Sequence, residues 1–275
     1  MFRFPATVLF FVSLLSAQIQ PISIADNQGT GNIDWSKRLI IITGIGAPNP
    51  DLPAAAQRPA AIRAAQQVAL RNALETIKGI YINSSTTVSN YMTQSDAVST
   101  NVNGYVNGFE QNGETKYMND GTVEISMKIP LDGVGGLGKM LYDPSVTQNP
   151  SVKFENTNHK KTVFSGLIID CRGLKVKPAL SPRVLDESGR EVYGSAYVSR
   201  EWAIKYGMVG YSKNLANATK LIDRIGNNPG QIKAIKTTGD NGTDIIISNK
   251  DANEVRSTSE NLKFLSECRI LFVID

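Results

Sequence analysis

The sequence predicts a two-domain α+β protein, and three stretches carry this prediction. Residues 54–78 repeat apolar side chains at helical spacing, whereas residues 123–129 alternate apolar and polar side chains as a half-buried strand does. Residues 132–160 are rich in Gly, Pro and Asn and show little periodicity. We therefore expect an N-terminal domain at 37–131, with one long helix on an antiparallel strand meander. A linker and a second, mixed α/β domain at 161–275 would follow.

The first 25 residues have the pattern of an export signal. Arg3 precedes an apolar run at residues 8–15, which is shorter than the roughly 20 residues that span a bilayer. Small residues favour cleavage after Ala25, although an uncleaved anchor is the alternative. Residues 26–36 are expected to form a disordered N-terminus. We expect an exported periplasmic protein, not transmembrane after cleavage and peripherally associated with the outer membrane at most.

The first domain is expected to begin with a strand and a long helix. The helix would start at Ala54 or Pro59 and end before Gly79, in the left-handed position that glycine favours after a helix. Three strands would then form the meander, with one sheet face on the helix and the other polar. They are residues 80–88, a strand carrying Val98, Val102 and Val106, and residues 123–129, with Asn119, Asp120 and Gly121 as a hairpin turn.

The second domain mixes strand and helix patterns. The expected elements are a strand at 163–170, a turn at 186–190, a helix within 197–206, paired strands at 231–237 and 244–248, a polar helix capped near Ser248, and a buried strand at 269–274.

The helix and the strand after it resemble a bacterial signature. Residues 63–88 combine an Ala-rich helix that has Arg at its start, a Gly, and a Thr-Thr-Val strand. In this they are similar to the exported twenty-kilodalton lipoprotein family (the Lpp-twenty type) and to the N-terminal domain of flagellar assembly protein T. The resemblance covers about residues 37–131 and implies a non-catalytic envelope domain. It also implies that residues 165–174 and 178–194 belong to a region that accompanies this domain in longer exported members. Because no cysteine lies near the cleavage site, we expect no lipobox anchor.

The two cysteines allow two interpretations. Cys171 and Cys268 would close a long loop if they formed a disulfide, as the oxidising periplasm permits. They would otherwise be two buried strand thiols. The Cα separation that decides between the two requires the fold.

The stretch Gly133-Val-Gly-Gly-Leu-Gly-Lys-Met140 matches two nucleotide-binding patterns. It contains both G-x-G-x-x-G and G-x-x-x-x-G-K, but it follows the last strand of a meander rather than the first strand of a βαβ unit. Met140 also stands where a phosphate loop has the Ser or Thr that coordinates magnesium. We therefore interpret it as a hinge and expect neither nucleotide nor cofactor.

Other chemistry has little support in the residue types. His159 is the single histidine, which is too few for a histidine-based zinc site or a Ser-His-Asp relay. Asp240 and Asp244 lie in a short turn that lacks the ligand series of a calcium loop. No metal and no catalytic residue are predicted.

Several cations and aromatics of the second domain are candidates for a protein interface. Arg and aromatic side chains are frequent anchors of such interfaces. The candidates are Arg172, Lys175, Lys177, Arg183, Trp202 and Tyr206, with Tyr211 nearby in sequence. The net charge of +4 is too small and too dispersed to predict nucleic-acid binding.

These observations predict a non-catalytic exported envelope protein that acts through protein–protein contacts, with an envelope or flagellar protein as partner. An exposed edge strand would also be compatible with a homo-oligomer. The alternatives are a binding module for a small ligand or cell-wall glycan and an exported hydrolase whose carboxylates converge only in the fold.

Overall fold

The computed structural model describes residues 31–109, 113–142, 162–219 and 221–275, and its architecture is α+β as predicted. The expected export signal, its cleavage point after Ala25, and His159 lie outside the described residues.

The first half is built on a four-stranded antiparallel sheet. Its strands are β1 (Gly31–Asp34), β2 (Leu39–Gly46), β3 (Lys116–Tyr117) and β4 (Val123–Pro130), in the order β1-β2-β4-β3. Strands β2 and β4 pair along their full lengths, from Leu39 opposite Pro130 to Gly46 opposite Val123. The predicted turn is confirmed, since Gly121 has a φ of +82° between β3 and β4.

The long helix α1 (Ala54–Lys78) packs on one face of this sheet, as predicted. Its buried stripe consists of small side chains spaced by four residues and ends in a larger one; the members are Ala61, Ala65, Ala69, Ala73 and Ile77. Gly44 and Gly46 of β2 lie so close to this stripe that a Cβ on either would overlap helix backbone. The expected left-handed cap is wrong: Gly79 has a φ of −75° and continues the right-handed conformation.

Two of the strands predicted after α1 are wrong. Val98, Val102 and Val106 lie on the buried face of a helix, α3 (Asp96–Asn107). A spacing of four residues fits a helix face as well as a strand face, and the intervening Thr100 and Gly104 lack the large apolar side chains of a buried strand face. Residues 80–88 form only an isolated bridge, between Tyr81 and Thr87. A short helix, α2 (Val88–Gln94), follows, and the hydroxyl of Thr87 accepts a hydrogen bond at its start.

Two further expectations about the first half need correction. Residues 31–36 are not disordered, since they include β1 and the fully buried Trp35. The outer sheet face is not purely polar either, because Ile41 and Ile45 of β2 point to it and Ile45 is 50% exposed.

The second half contains two four-stranded sheets, one parallel and one mixed. The strands are β5 (Leu167–Asp170), β6 (Val184–Asp186), β7 (Glu191–Tyr193), β8 (Gly210–Ser212), β9 (Gly230–Lys233), β10 (Lys236–Thr238), β11 (Asp244–Ile247) and β12 (Ile270–Val273). The parallel sheet has the order β8-β12-β5-β9, and the mixed sheet has the order β10-β11-β6-β7.

Five α-helices surround these sheets within the described part of the second half. They are α5 (Arg200–Tyr206), α6 (Leu215–Ala218), α7 (Ile222–Ile225), α8 (Asn249–Val255) and α9 (Ser259–Ser266), while α4 (Gly138–Leu141) lies between the halves.

The predicted helix cap at Ser248 is confirmed, since the Ser248 hydroxyl accepts a hydrogen bond from the N–H of Asp251. The predicted pairing of residues 231–237 with 244–248 holds only for β10 and β11. Strand β9 joins β5 in the other sheet.

Cys171 and Cys268 are free, buried thiols, which is one of the two alternatives that the sequence left open. Strands β5 and β12 are parallel, and Asp170 lies opposite Val273. Cys171 therefore follows the carboxyl end of β5, whereas Cys268 precedes the amino end of β12. Leu167 lies opposite Ile270, so the four-residue rise from Leu167 to Cys171 alone separates the two levels by roughly 13 Å along the strand direction. This is too far for a disulfide, whose Cα atoms lie within about 7 Å.

The two halves pack against each other through one shared hydrophobic cluster. The Trp35 ring of the first half packs edge to face against the Tyr211 ring of the second half, with the ring centroids 5.4 Å apart. Backbone hydrogen bonds also cross, from the Leu180 N–H to the Tyr81 carbonyl oxygen and from the Ser181 N–H to the Ile82 carbonyl oxygen, at 3.0 and 2.7 Å. These contacts therefore fix the orientation of the first half relative to the second half.

Candidate interaction surface

Helix α5 carries a stacked aromatic pair, of which Trp202 also packs partly against the hydrophobic core. Trp202 and Tyr206 are four residues apart and so share a helix face. Their ring centroids lie 5.4 Å apart with the planes 17° from parallel. The Nζ atom of Lys205 lies 5.6 Å from the Trp202 ring centroid and 5.0 Å from that of Tyr206. Both rings are half-buried and Lys205 is exposed, so the helix presents a cation beside a rigid apolar platform.

Buried contacts anchor α5 in the protein. Ala203 is fully buried, and the N–H of Ser199, just before the helix, donates to the Ser266 carbonyl oxygen at 3.0 Å. The helix ends at Gly207, whose φ of +71° is strained for other residues. The Arg224 guanidinium donates to the carbonyl oxygens of Tyr206 and Gly207 at 2.7 and 2.8 Å. The end of the helix is thus held by a partly buried cation.

Beneath α5, Arg38 and Asp132 form a buried ion pair. The Arg38 Nε lies 2.6 Å from Asp132 Oδ2, and Nη2 lies 2.8 Å from Oδ1; each side chain is only 10% exposed. Burial by itself would lower the pKa of Arg38, but the charge and hydrogen bonds of Asp132 raise it above its ordinary value. For Arg224, burial followed by the nearby Arg38 charge lowers the pKa below its ordinary value.

The glycine-rich stretch that the sequence predicts to be a hinge forms a packed turn between α3 and α5. The N–H of Gly133 donates to the Ile204 carbonyl oxygen of α5 at 2.7 Å. The Tyr105 hydroxyl of α3 donates to the Gly135 carbonyl oxygen at 2.8 Å. Burial raises the pKa of Tyr105 to about 12, so this hydroxyl remains a donor at neutral pH. Val134 stands at the tip of the turn with 81% of its surface exposed.

The other predicted interface residues are engaged elsewhere. The Nη2 of Arg183 lies 2.8 Å from Asp244 Oδ2 and 3.3 Å from the Ser84 hydroxyl of the first half. The Nζ of Lys177 lies 5.4 Å from the centroid of the Tyr81 ring. These two cations therefore contribute to the contact between the halves rather than to the α5 platform.

The remaining three residues predicted for the interface lie elsewhere in the second half. Arg172 pairs with Asp170 at the carboxyl end of β5, with Nη2 and Oδ2 2.7 Å apart. Lys175 is exposed and has a φ of +53°. Tyr211 is 1% exposed and belongs to the core. Of the predicted set, the structure brings together Trp202 and Tyr206.

Sequence reasoning missed three residues around this surface. Lys205 could have been found from its spacing, because it lies three residues after Trp202 and one before Tyr206 in a predicted helix. Val134 was interpreted only as part of a motif, although an apolar residue flanked by glycines is a local signal. Asp132 carried no signal, since its partner Arg38 is 94 residues away.

Metal binding has no support within the ranges that the structure describes. No three His, Cys, Asp or Glu side chains there come together in a way that could hold a metal ion. Across the same ranges, every helix is too short or too polar to cross a bilayer.

Comparison with protein families adds a finding for the second half. Residues 166–275 match the sequence model of a family described as the second domain of Treponema pallidum Tp0624. The match begins one residue before β5 and runs through β12, so it covers both sheets of the second half. This region is therefore similar to a second domain of a bacterial protein. A comparison with curated proteins finds no match.

Proposed function

We propose that this chain is a non-catalytic, exported cell-envelope protein that acts through protein–protein contacts. Its role would be the assembly or stabilisation of an envelope or flagellar structure. The observation that carries the contact role is the α5 platform, in which the half-buried rings of Trp202 and Tyr206 stack beside the exposed Lys205.

The aromatic surface of this platform is more favourably placed against a partner protein than against water. Aromatic side chains bury a large apolar area while losing little rotational freedom, and they are enriched at binding hot spots. The Trp202–Tyr206 stack is already ordered, and Arg224 and Ala203 fix the helix that bears it. Because this surface is already ordered, its side chains lose less conformational entropy when a partner binds.

The envelope part of the proposal has separate support. Arg3, the apolar run at residues 8–15 and the small residues Ser23 and Ala25 are the elements of an export signal. The resemblance of residues 37–131 to the Lpp-twenty type and to flagellar assembly protein T points in the same direction. The family match of residues 166–275 adds a bacterial second domain.

In-cell crosslinking of the tagged, full-length protein tests this proposal. We expect reproducible recovery of specific envelope or flagellar proteins, identified by mass spectrometry, with wild type. The variant Trp202→Ala should lose most of this recovery, while Ile222→Ala, which changes an apolar side chain exposed by 52% on α7, should keep it. Thermal unfolding of both variants checks that they fold.

Three outcomes would count against the proposal: recovery of no specific protein, self-crosslinks only, or equal recovery with both variants. Thermal stabilisation by a cell-wall glycan in the absence of a partner would favour the binding-module alternative instead.

A further inference from the structure

Val134 is the most exposed large apolar side chain in the described part of the chain. It is 81% exposed, and the next, Ile222, is 52% exposed. A single exposed apolar residue is ordinary on a protein surface. Val134 differs because of how its backbone is held and because of what surrounds it.

The turn that bears Val134 is pinned on both sides. Gly133 donates to Ile204 of α5, Gly135 accepts from Tyr105 of α3, and the N–H of Gly136 donates back to the Gly133 carbonyl oxygen at 3.0 Å. Gly133 has a φ of +92°, a conformation that other residues rarely adopt. The valine is thus presented on a rigid turn, not on a free loop.

Two exposed lysines flank this turn, one on α4 and one on α5. Lys139, exposed on α4, follows the turn, and Lys205 is exposed on α5 beside Trp202. The acidic residue at the base of the turn, Asp132, is neutralised by Arg38. Glu201 is the exposed carboxylate of α5; it is four residues before Lys205 and so lies on the same helix face, where it offsets part of the charge of that lysine.

We propose that Val134 is an anchor that inserts into an apolar pocket bordered by carboxylates on a partner protein, with Lys139 and Lys205 pairing with those carboxylates. The inference rests on the proposed contact function and specifies the chemistry of its partner. The valine supplies the apolar contact, and the two lysines supply complementary charge and select the partner. Because the turn is preordered, little conformational entropy is lost when the valine is buried.

Site-specific photo-crosslinking in cells tests this assignment. Benzoylphenylalanine replaces Val134 in the full-length chain, and the same replacement at Ile222 is the matched control. We expect a crosslink from position 134 to a peptide of a partner protein that contains several Asp or Glu residues, and a much weaker one from position 222. Lys139→Glu combined with Lys205→Glu should abolish the crosslink.

A binding measurement with the crosslinked partner, once purified, completes the test. Val134→Asp should weaken binding about 10- to 100-fold, since it replaces a buried apolar side chain by a charge facing carboxylates. The midpoint temperature of thermal unfolding should be unchanged by this substitution, because Val134 is exposed.

Four outcomes would overturn the inference: crosslinks to a second copy of this chain, crosslinks to its own residues 143–161, equal crosslinking from both positions, or insensitivity to charge reversal. If wild type still recovers a specific envelope protein by general crosslinking, the proposed function stands while this inference falls. If general crosslinking recovers none, both fall.

Discussion

Arg38 and Asp132 are joined by two parallel hydrogen bonds of 2.6 and 2.8 Å, although they are 94 residues apart in the chain. Arg38 immediately precedes β2 and Asp132 follows the end of β4, and both side chains lie against Gly207 at the carboxyl end of α5. The pair therefore couples the sheet of the first half to the helix that carries the aromatic platform.

Removing the carboxylate of this pair should destabilise the protein strongly. Asp132→Asn keeps the shape but leaves the Arg38 charge buried without a counter-charge, which typically costs about 3–5 kcal/mol. Urea unfolding measures the loss. The matched control is Glu75→Gln, since the Lys78–Glu75 pair is exposed on α1 and should change stability by less than about 1 kcal/mol. If Asp132→Asn matched the control, the pair would have no structural role.

The close contact between α1 and β2 predicts opposite effects for two glycine substitutions. Gly44→Ala places a Cβ against the Ala65 carbonyl oxygen and 2.5 Å from the Ala69 nitrogen, so we expect a loss of at least about 1–3 kcal/mol. Gly104→Ala, in α3, meets nothing within 4 Å and should stabilise by about 0.5–1 kcal/mol. Thermal and urea unfolding distinguish the two, and equal effects would contradict the observed packing.

The cysteines should react only when the protein unfolds. Burial raises the pKa of the Cys171 thiol well above its ordinary value and that of Cys268 to about 11, so at pH 8 both are neutral and shielded. Labelling with iodoacetamide at pH 8 should give no modified protein in buffer and two labels per chain in urea, without prior reduction. A chain that needs reduction before labelling would show that the disulfide forms after all.

Protonation of Asp186 should destabilise the protein in acid. Its buried carboxylate accepts hydrogen bonds from Arg190 and Arg256 at 2.9 and 3.3 Å. Burial alone would raise the pKa of Asp186, but these hydrogen bonds, with that of the Arg190 N–H, lower it below the ordinary value near 4. The stabilisation is therefore complete above about pH 4 and is lost as the pH falls through the lower folded-state pKa.

Urea unfolding between pH 2.5 and pH 6 checks this sign. Asp186→Asn should be less stable than wild type at pH 6, by about 1.5–3 kcal/mol for the lost charged hydrogen bonds, and the difference should shrink in acid. Asp51→Asn, in the exposed loop before α1, should follow the wild-type curve. A constant difference at all pH values would mean that the Asp186 charge does not matter.

How much the sequence could predict depended on the length of the pattern. Helix α1 spans 25 residues, so its period was unmistakable, and the uninterrupted apolar run of β12 was as clear. The strand prediction for α3 is wrong because valines that recur every four residues fit a strand face as well as a helix face, and because Asn, Thr and Val are weak helix formers. The candidate surface was predicted in part, through Trp202 and Tyr206, whose helical spacing is local.

The sequence by itself determined the α+β class, the position of the long helix, the turns that contain Gly121 and Gly189, and the final buried strand. These features follow from short-range periodicity and backbone preference. Only the tertiary structure decided that Arg38 meets Asp132, that the cysteines lie at opposite ends of neighbouring strands, and that the glycine stretch is a packed turn. Such contacts join distant residues through strand register and close packing, which leave no repeating pattern along the chain.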